Sequence, residues 1–289
     1  MTTETVTTGL SLDQVLLVPR ASDVLPNSVV LGTQLSPTVA LALPVIGAPA
    51  MTDKQVAQQF SENGALAILP AGETQLQDVQ DLRAADEAKT IGVAVRNAPD
   101  AFETAVTLHA AGASVIYYEL DDQLDLAIES LKLLAQQVPP LTILVGPVAD
   151  EAIARQVLAT GIDALVVAPT PGQPVYTVTT TLAFAELAAE FDAAVILGAG
   201  IRYSGDIVKA IAAGAIATMV DDQIMTGDLT DNLFQIAGGL RSGMGYTGAA
   251  TINQLREEAQ FVQITAAGLA ESHPHDVELT KDAPNYAKN

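Results

Sequence analysis

A single (β/α)8 barrel, an α/β fold, is predicted for this chain by three observations. The first is a recurring phrase in which an Ala-rich helical stretch ends on Gly and a short apolar run follows: Gly64, Gly112, Gly161 and Gly214, at spacings of 48, 49 and 53 residues, each close one copy. A helix that stops abruptly favours Gly at the next position, where positive φ carries no Cβ penalty. A spacing of about two strand–helix units per phrase implies roughly eight units in the chain. The second observation is that the runs are apolar throughout, as expected of strands buried on both faces of a parallel sheet. The third is length: eight such units in about 250 residues match a closed barrel, whereas a doubly wound open sheet gives no reason for eight regular repeats.

The elements follow in order. Residues 1–40 read as an N-terminal arm, and strands are expected at Pro44–Ala48, Leu66–Leu69, Thr90–Val95, Ser114–Glu119, Leu141–Gly146, Ala164–Ala168, Ala193–Gly198 and Ile216–Val220. Amphipathic helices are expected between them, for example at Asp100–Ala111, Asp121–Gln137 and Asp150–Thr160, each led by an Asp suited to the positive end of a helix. Residues 241–289 read as a C-terminal tail, and all of 1–289 as one domain. Hydrophobic residues make up 49% of the chain but aromatics only 4%, so Ala, Val, Leu and Ile must build the core.

The charge excludes some functions. With 34 acidic against 13 basic residues the net charge is −21, spread along the chain, which disfavours nucleic acid and anionic membranes as partners. There is no long uninterrupted apolar window and no basic n-region before an apolar segment, so a cytoplasmic location is expected. Cysteine is absent, which removes thiolate chemistry. The three histidines are His109 in a helix and His273 and His275 near the C-terminus, so the loops after the strands, where a barrel carries its chemistry, hold no triad and no three-histidine metal site.

Three stretches carry a resemblance. Leu10-Ser11-Leu12-Asp13-Gln14-Val15-Leu16-Leu17-Val18-Pro19, then Gly200-Ile201-Arg202-Tyr203-Ser204-Gly205-Asp206, then the run from Gly238-Gly239 through Met244-Gly245-Tyr246 and Glu271-Ser272-His273 to Ala283-Pro284-Asn285-Tyr286 resemble the IMP dehydrogenase and GMP reductase family, the dehydrogenase more than the reductase. The resemblance implies a barrel enzyme in which a cysteine thiolate attacks the purine ring while hydride leaves to NAD, and a monovalent cation such as potassium sits beside the cysteine loop of a tetramer.

This chain departs from that pattern at every such place. The cysteine loop aligns with Ala168–Val178, so the nucleophile position is Val175, the phosphate-contacting serine is Gln173 and the following arginine is Val178; Gly172, Tyr176 and Thr177 complete the altered loop. The family's ribose-binding aspartate aligns with Gly198, and its Gly-Ser phosphate cradle with Asp221-Asp222. One pair of like charges about 4 Å apart at an effective dielectric near 20 costs roughly 4 kcal/mol. Glu119 stands at the cofactor-contacting aspartate. Only ten residues separate Gly227 from Gly238, too few for the mobile flap, and under twenty lead from Gly72 to Ile91, too few for the CBS regulatory domains.

The resemblance further implies that Met244, Gly245 and Tyr246 lie in a loop under the purine and that Glu271, Ser272 and His273 reach a neighbouring subunit's cation site. Gly200 and the helix after it offer either an anion site or a capped terminus. Asp221 and Asp222 are either a site for a cationic ligand or two solvated acids. Three functions remain open: a non-catalytic structural or regulatory relative, forming a homotetramer or joining an active paralogue; a purine-nucleotide oxidoreductase of altered mechanism; and a binder of another ligand at a mouth lined by Tyr117, Tyr118, Tyr176, Asp221 and Asp222. The first is expected, with no cofactor and no enzymatic activity.

Overall fold

The computed structural model describes residues 8–272 apart from 139 and 226. The arm supplies three short strands, β1 (Val15–Leu17), β2 (Thr33–Gln34) and β3 (Ala40–Leu41). The chain then alternates β4 (Val45–Gly47), α1 (Lys54–Glu62), β5 (Leu66–Leu69), α2 (Gln75–Ala85), β6 (Gly92–Arg96), α3 (Ala101–Ala111), β7 (Val115–Glu119) and α4 (Leu124–Gln137). It continues through β8 (Thr142–Val148), α5 (Glu151–Leu158), β9 (Ala164–Val167), α6 (Thr177–Ala189), β10 (Ala194–Leu197), α7 (Ser204–Ala212), β11 (Ala217–Val220) and α8 (Leu229–Thr247). After α8 come α9 (Ile252–Glu258), β12 (Phe261–Gln263) and α10 (Ala266–Ser272).

Strands β4 to β11 pair in parallel and close in the ring order β10-β11-β4-β5-β6-β7-β8-β9, the expected (β/α)8 barrel. All eight sequence-derived strands are present, shifted by at most two residues at their ends. The four repeat glycines take φ of +73°, +122°, +89° and +104°, the conformation that motivated the repeat. Between Val145 and Val148 the register of β8 shifts, and there Gly146 is obligatory: a Cβ would lie 2.6 Å from the Val166 carbonyl oxygen.

Two arm devices close the barrel. The β2–β3 hairpin sends Leu35, Val39 and Leu41 into the lumen cluster with Ile46, Leu144 and Met219, and its Ser36 Oγ lies 2.6 Å from Thr142 Oγ1 at the start of β8. The hairpin therefore plugs the end opposite the strand carboxyl termini. Strand β1 pairs antiparallel with β12, tying the arm to the C-terminal segment.

Helix starts correct the sequence reading at Asp121 and leave Asp100 as the N-cap residue of α3 without a side-chain bond. Asp150 caps α5 through the Ile153 N–H at 3.0 Å, as expected. Asp100 makes no such bond, and Asp121 lies before α4, accepting instead from Gln123 N–H and from Asn97 Nδ2. No helix among the described residues is long and apolar enough to cross a membrane.

Candidate functional site

Residues two apart on a strand share a face, so the lumen residues fix which side chains surround the mouth. Ala94, Tyr117 and Met219 belong to the lumen cluster. One step further along, Arg96 and Glu119 stand at the ends of β6 and β7, and Asp221 follows β11. In the ring order three strands separate β7 from β11 on either side, so Glu119 and Asp221 occupy opposite sides of the mouth. Between them come small residues, among them Ala48, Ala168 and Gly198.

Tyr117 forms the floor. It is 7% exposed, and no hydrogen bond to its hydroxyl is found among the described residues. Burial first, then the Glu119 charge, holds its phenol above the ordinary tyrosine range, so the group stays neutral. Burial also raises the Glu119 carboxyl, opposed by the Arg96 guanidinium, which itself donates to the Ala71 carbonyl at 3.1 Å. Tyr118 faces the opposite way: its hydroxyl donates to Asn97 Oδ1 at 2.8 Å behind the sheet. Two consecutive strand tyrosines cannot both line the lumen, which corrects the expectation that they do.

The loop after β9 is a tight turn. Thr170 and Gln173 exchange backbone hydrogen bonds of 3.3 and 2.9 Å around Pro171-Gly172, with Gly172 at φ +79°. Gln173 Nε2 donates to the Asp150 carboxylate at 3.2 Å. Val175 is half-buried against the core, and Tyr176, half exposed, lies over Gly9, where a Cβ would be 2.3 Å from its ring. Thr177 Oγ1 accepts from the Leu12 N–H at 2.9 Å, and the Val178 N–H donates to the Leu10 carbonyl at 3.0 Å. The start of α6 and Tyr176 are thus fastened to the arm, while residues 171–174 of the loop are exposed.

At α7 the terminus is capped. The buried Asp206 carboxylate accepts from the Arg202 and Tyr203 N–H groups at 3.1 and 3.0 Å and pairs with Lys209 at 3.5 Å. Lys209 also donates to the Leu12 carbonyl at 2.8 Å. A carboxylate therefore stands in the first turn at the positive helix end, beside exposed Gly200, whose φ is +73°. Asp221 and Asp222 are both exposed, and Asp221 accepts from the Gln223 N–H at 3.0 Å. Solvent screening lowers the repulsion expected for an anion there toward about 1 kcal/mol per pair.

Met244, Gly245 and Tyr246 are not in a loop and do not meet the other candidates. They form the last turns of α8, which descends from the mouth. Met244 is fully buried, while Gly245 abuts Val24 and Pro26 and the Tyr246 carbonyl accepts from the Arg20 N–H. The glycines around them serve helix packing: a Cβ on Gly239 would lie 2.1 Å from Ser204 Oγ, and one on Gly243 2.9 Å from Val208. Glu271 and Ser272 are exposed on α10, where Ser272 Oγ donates to the Leu269 carbonyl at 2.8 Å; His273 and His275 lie outside the described residues. Among the described residues no group of three His, Cys, Asp or Glu side chains could hold a metal ion. Sequence reasoning passed over Arg96, a cation at this mouth, although the two-residue step from Gly92 and Ala94 pointed to it.

Comparison with known proteins supplies the ancestry. The model of the IMP dehydrogenase / GMP reductase domain matches residues 9–226 and 221–275. Similar proteins named inosine-5'-monophosphate dehydrogenase occur in Halalkalibacterium halodurans, at 31% identity over 263 residues, and in Aquifex aeolicus, at 30% over 264. Another, from Streptococcus pyogenes, is 31% identical over 269 residues. Each match covers 68% of this chain and 54% of the relative, so the chain spans about half the length of the curated relatives it matches.

Proposed function

The chain belongs to the IMP dehydrogenase / GMP reductase family, and from that premise we propose that it is a non-catalytic member, retained as a structural or regulatory protein. One observation carries the reading: the position of the expected nucleophile is Val175, a half-buried aliphatic side chain packed on the core within a loop fastened to the arm. A valine offers neither a lone pair nor a proton, so no covalent purine intermediate forms there.

The surroundings support the same conclusion. Asp221-Asp222 stands where a phosphate cradle is expected, and Asp206 adds a carboxylate in the first turn of the adjoining helix. A monovalent cation fits poorly beside the loop after β9, because Pro169 and Thr170 stand where the resemblance implies small residues whose carbonyls face the ion. Glu119 offers a carboxylate to a cofactor ribose, but no other group identified here for NAD joins it. In this reading the chain acts without NAD or potassium and assembles as a homotetramer or with an active paralogue, the tail from Glu271 onward contributing to the contact.

The test is a hydride-transfer assay with IMP and NAD, followed by NADH absorbance, beside the mass of the purified protein from light scattering. Absence of turnover together with a stable oligomer supports the proposal; NADH formation dependent on this protein overturns it.

A further inference from the structure

We propose that the outward face of α8 docks on the same face of a second copy of this chain, the helix of each copy seated between Phe234 and Tyr246 of the other. The inference deepens the assembly part of the proposed function and rests on it for self-association, whereas the loss of catalysis plays no part in it.

Shape is the first argument. Among the described residues the three most exposed large apolar side chains are Phe234, Tyr246 and Leu25, at 75%, 73% and 69%, and all three gather on this helix and the turn packed against it. That turn, Pro26–Ser28, is held to α8 where a Cβ on Gly245 would lie 3.3 Å from the Val24 carbonyl oxygen and 3.8 Å from Pro26. Phe234, Gly238, Ser242 and Tyr246 follow one another at four-residue steps and are all exposed, forming one ridge. At about 100° per residue Gly238 and Ser242 point away from Leu240, which is fully buried, so they mark the middle of the outward face. The two aromatics stand about 18 Å apart along the axis, with these small residues as a saddle between them, and a helix about 10–12 Å across fits that saddle.

Charge selects the occupant. Two copies of a chain of net charge −21 repel each other over most of their surface. The two longest stretches without an acidic residue run between Asp23 and Asp53 and between Asp231 and Glu257, and these are the stretches that meet here, where the Val30 N–H also donates to the Ala250 carbonyl at 2.9 Å. Within α8 the charges are Asp231 in the first turn and half-buried Arg241, which offset each other. A second copy can therefore approach through this face without bringing carboxylates together. Two aromatics of about 150–250 Å² each, with Leu25 beside them, supply on the order of half of the about 800 Å² that each partner of a stable complex buries. Aromatic anchors around a close-packed centre are also the residues that carry most of the energy in such contacts.

The test is sedimentation velocity of the full chain over a range of concentrations, for the parent, Phe234→Asp, Tyr246→Asp and the double variant, with circular dichroism to verify folding. Each single substitution is expected to raise the dissociation constant of the contact at least about ten-fold, and the double variant to halve the mass of the parent assembly. Leu133→Glu, at an exposed apolar position on α4 across the barrel, should leave the mass unchanged. Added sodium chloride should strengthen the contact, since it screens the repulsion between the acidic copies. Should an aspartate variant fail to fold, Phe234→Ser and Tyr246→Ser decide instead. A parent assembly whose mass survives the double variant, or falls equally with Leu133→Glu, overturns this inference and leaves the homotetramer of the proposed function standing. A parent that sediments as a monomer overturns both, even where Tyr246→Ser lowers its Tm, as cover by the chain's own tail would. Turnover of IMP in the hydride-transfer assay bears on the non-catalytic reading alone.

Discussion

Two adjacent glycines on α8 should respond to alanine with opposite signs. A Cβ on Gly239 would lie 2.1 Å from Ser204 Oγ and 2.6 Å from Ser204 Cβ, so rotating the hydroxyl away does not relieve the clash and α7 must move. Overpacking of this kind costs about 1–3 kcal/mol, and the gain in helix propensity from Gly to Ala returns about 1 kcal/mol. The net is a loss of up to about 2 kcal/mol, a fall in Tm of up to about 3 °C for a chain of this size. Gly238 is exposed with nothing within 4 Å of its Cβ position, so Gly238→Ala keeps the propensity gain and raises Tm by about 1–2 °C. Thermal unfolding followed by far-UV circular dichroism measures both, and adding Ser204→Gly to Gly239→Ala should recover part of the loss. If both single alanine variants stabilise the protein, the account of this glycine-rich segment as a helix-packing device is wrong.

Three further outcomes follow from the same structure. Thr177→Val removes the acceptor of the buried Leu12 N–H and should cost about 1–2 kcal/mol in urea denaturation, with faster proteolysis of the arm. Burial raises the Asp163 carboxyl above its unfolded value, so the folded state holds the proton longer and stability falls as pH rises through that window. Asp163→Asn, which keeps an acceptor for the Ile143 N–H, should then gain on the parent as pH rises above about 4, a trend that paired urea titrations across pH would reveal or refute. Val175→Cys places a thiol against the core without the rest of a nucleotide site, and should yield no IMP-dependent NADH; measurable turnover would show that one substitution separates this chain from catalysis.

The barrel was legible because its signals are local. A helix that ends on a positive-φ glycine before a fully apolar run specifies both neighbours, and four copies counted the strands. The site was less legible because it depends on side-chain parity and long-range contacts. Tyr117 and Tyr118 are the same residue type, and the strand pleat alone sends one to the lumen and the other to Asn97. Met244 sits in a segment whose four glycines suggest a loop, yet α8 is helical there because Gly239 and Gly243 admit α7, a contact of elements far apart in sequence. The β2–β3 plug was hidden for a different reason: strands of two residues are too short to show a period.

The resemblance to the family and the geometry therefore answer different questions. The glycines of α8 and the Leu10–Pro19 stretch are explained by packing and by the arm's bonds to Thr177 and Lys209, roles that need no nucleotide.

The most direct measurement is a thermal-shift titration of the purified protein with IMP, GMP, XMP and NAD, with and without potassium, because a ligand of the folded state raises Tm by mass action. The account predicts no saturable shift at millimolar concentration for any of them. A saturable rise with IMP or GMP would contradict it and return the barrel mouth to a nucleotide.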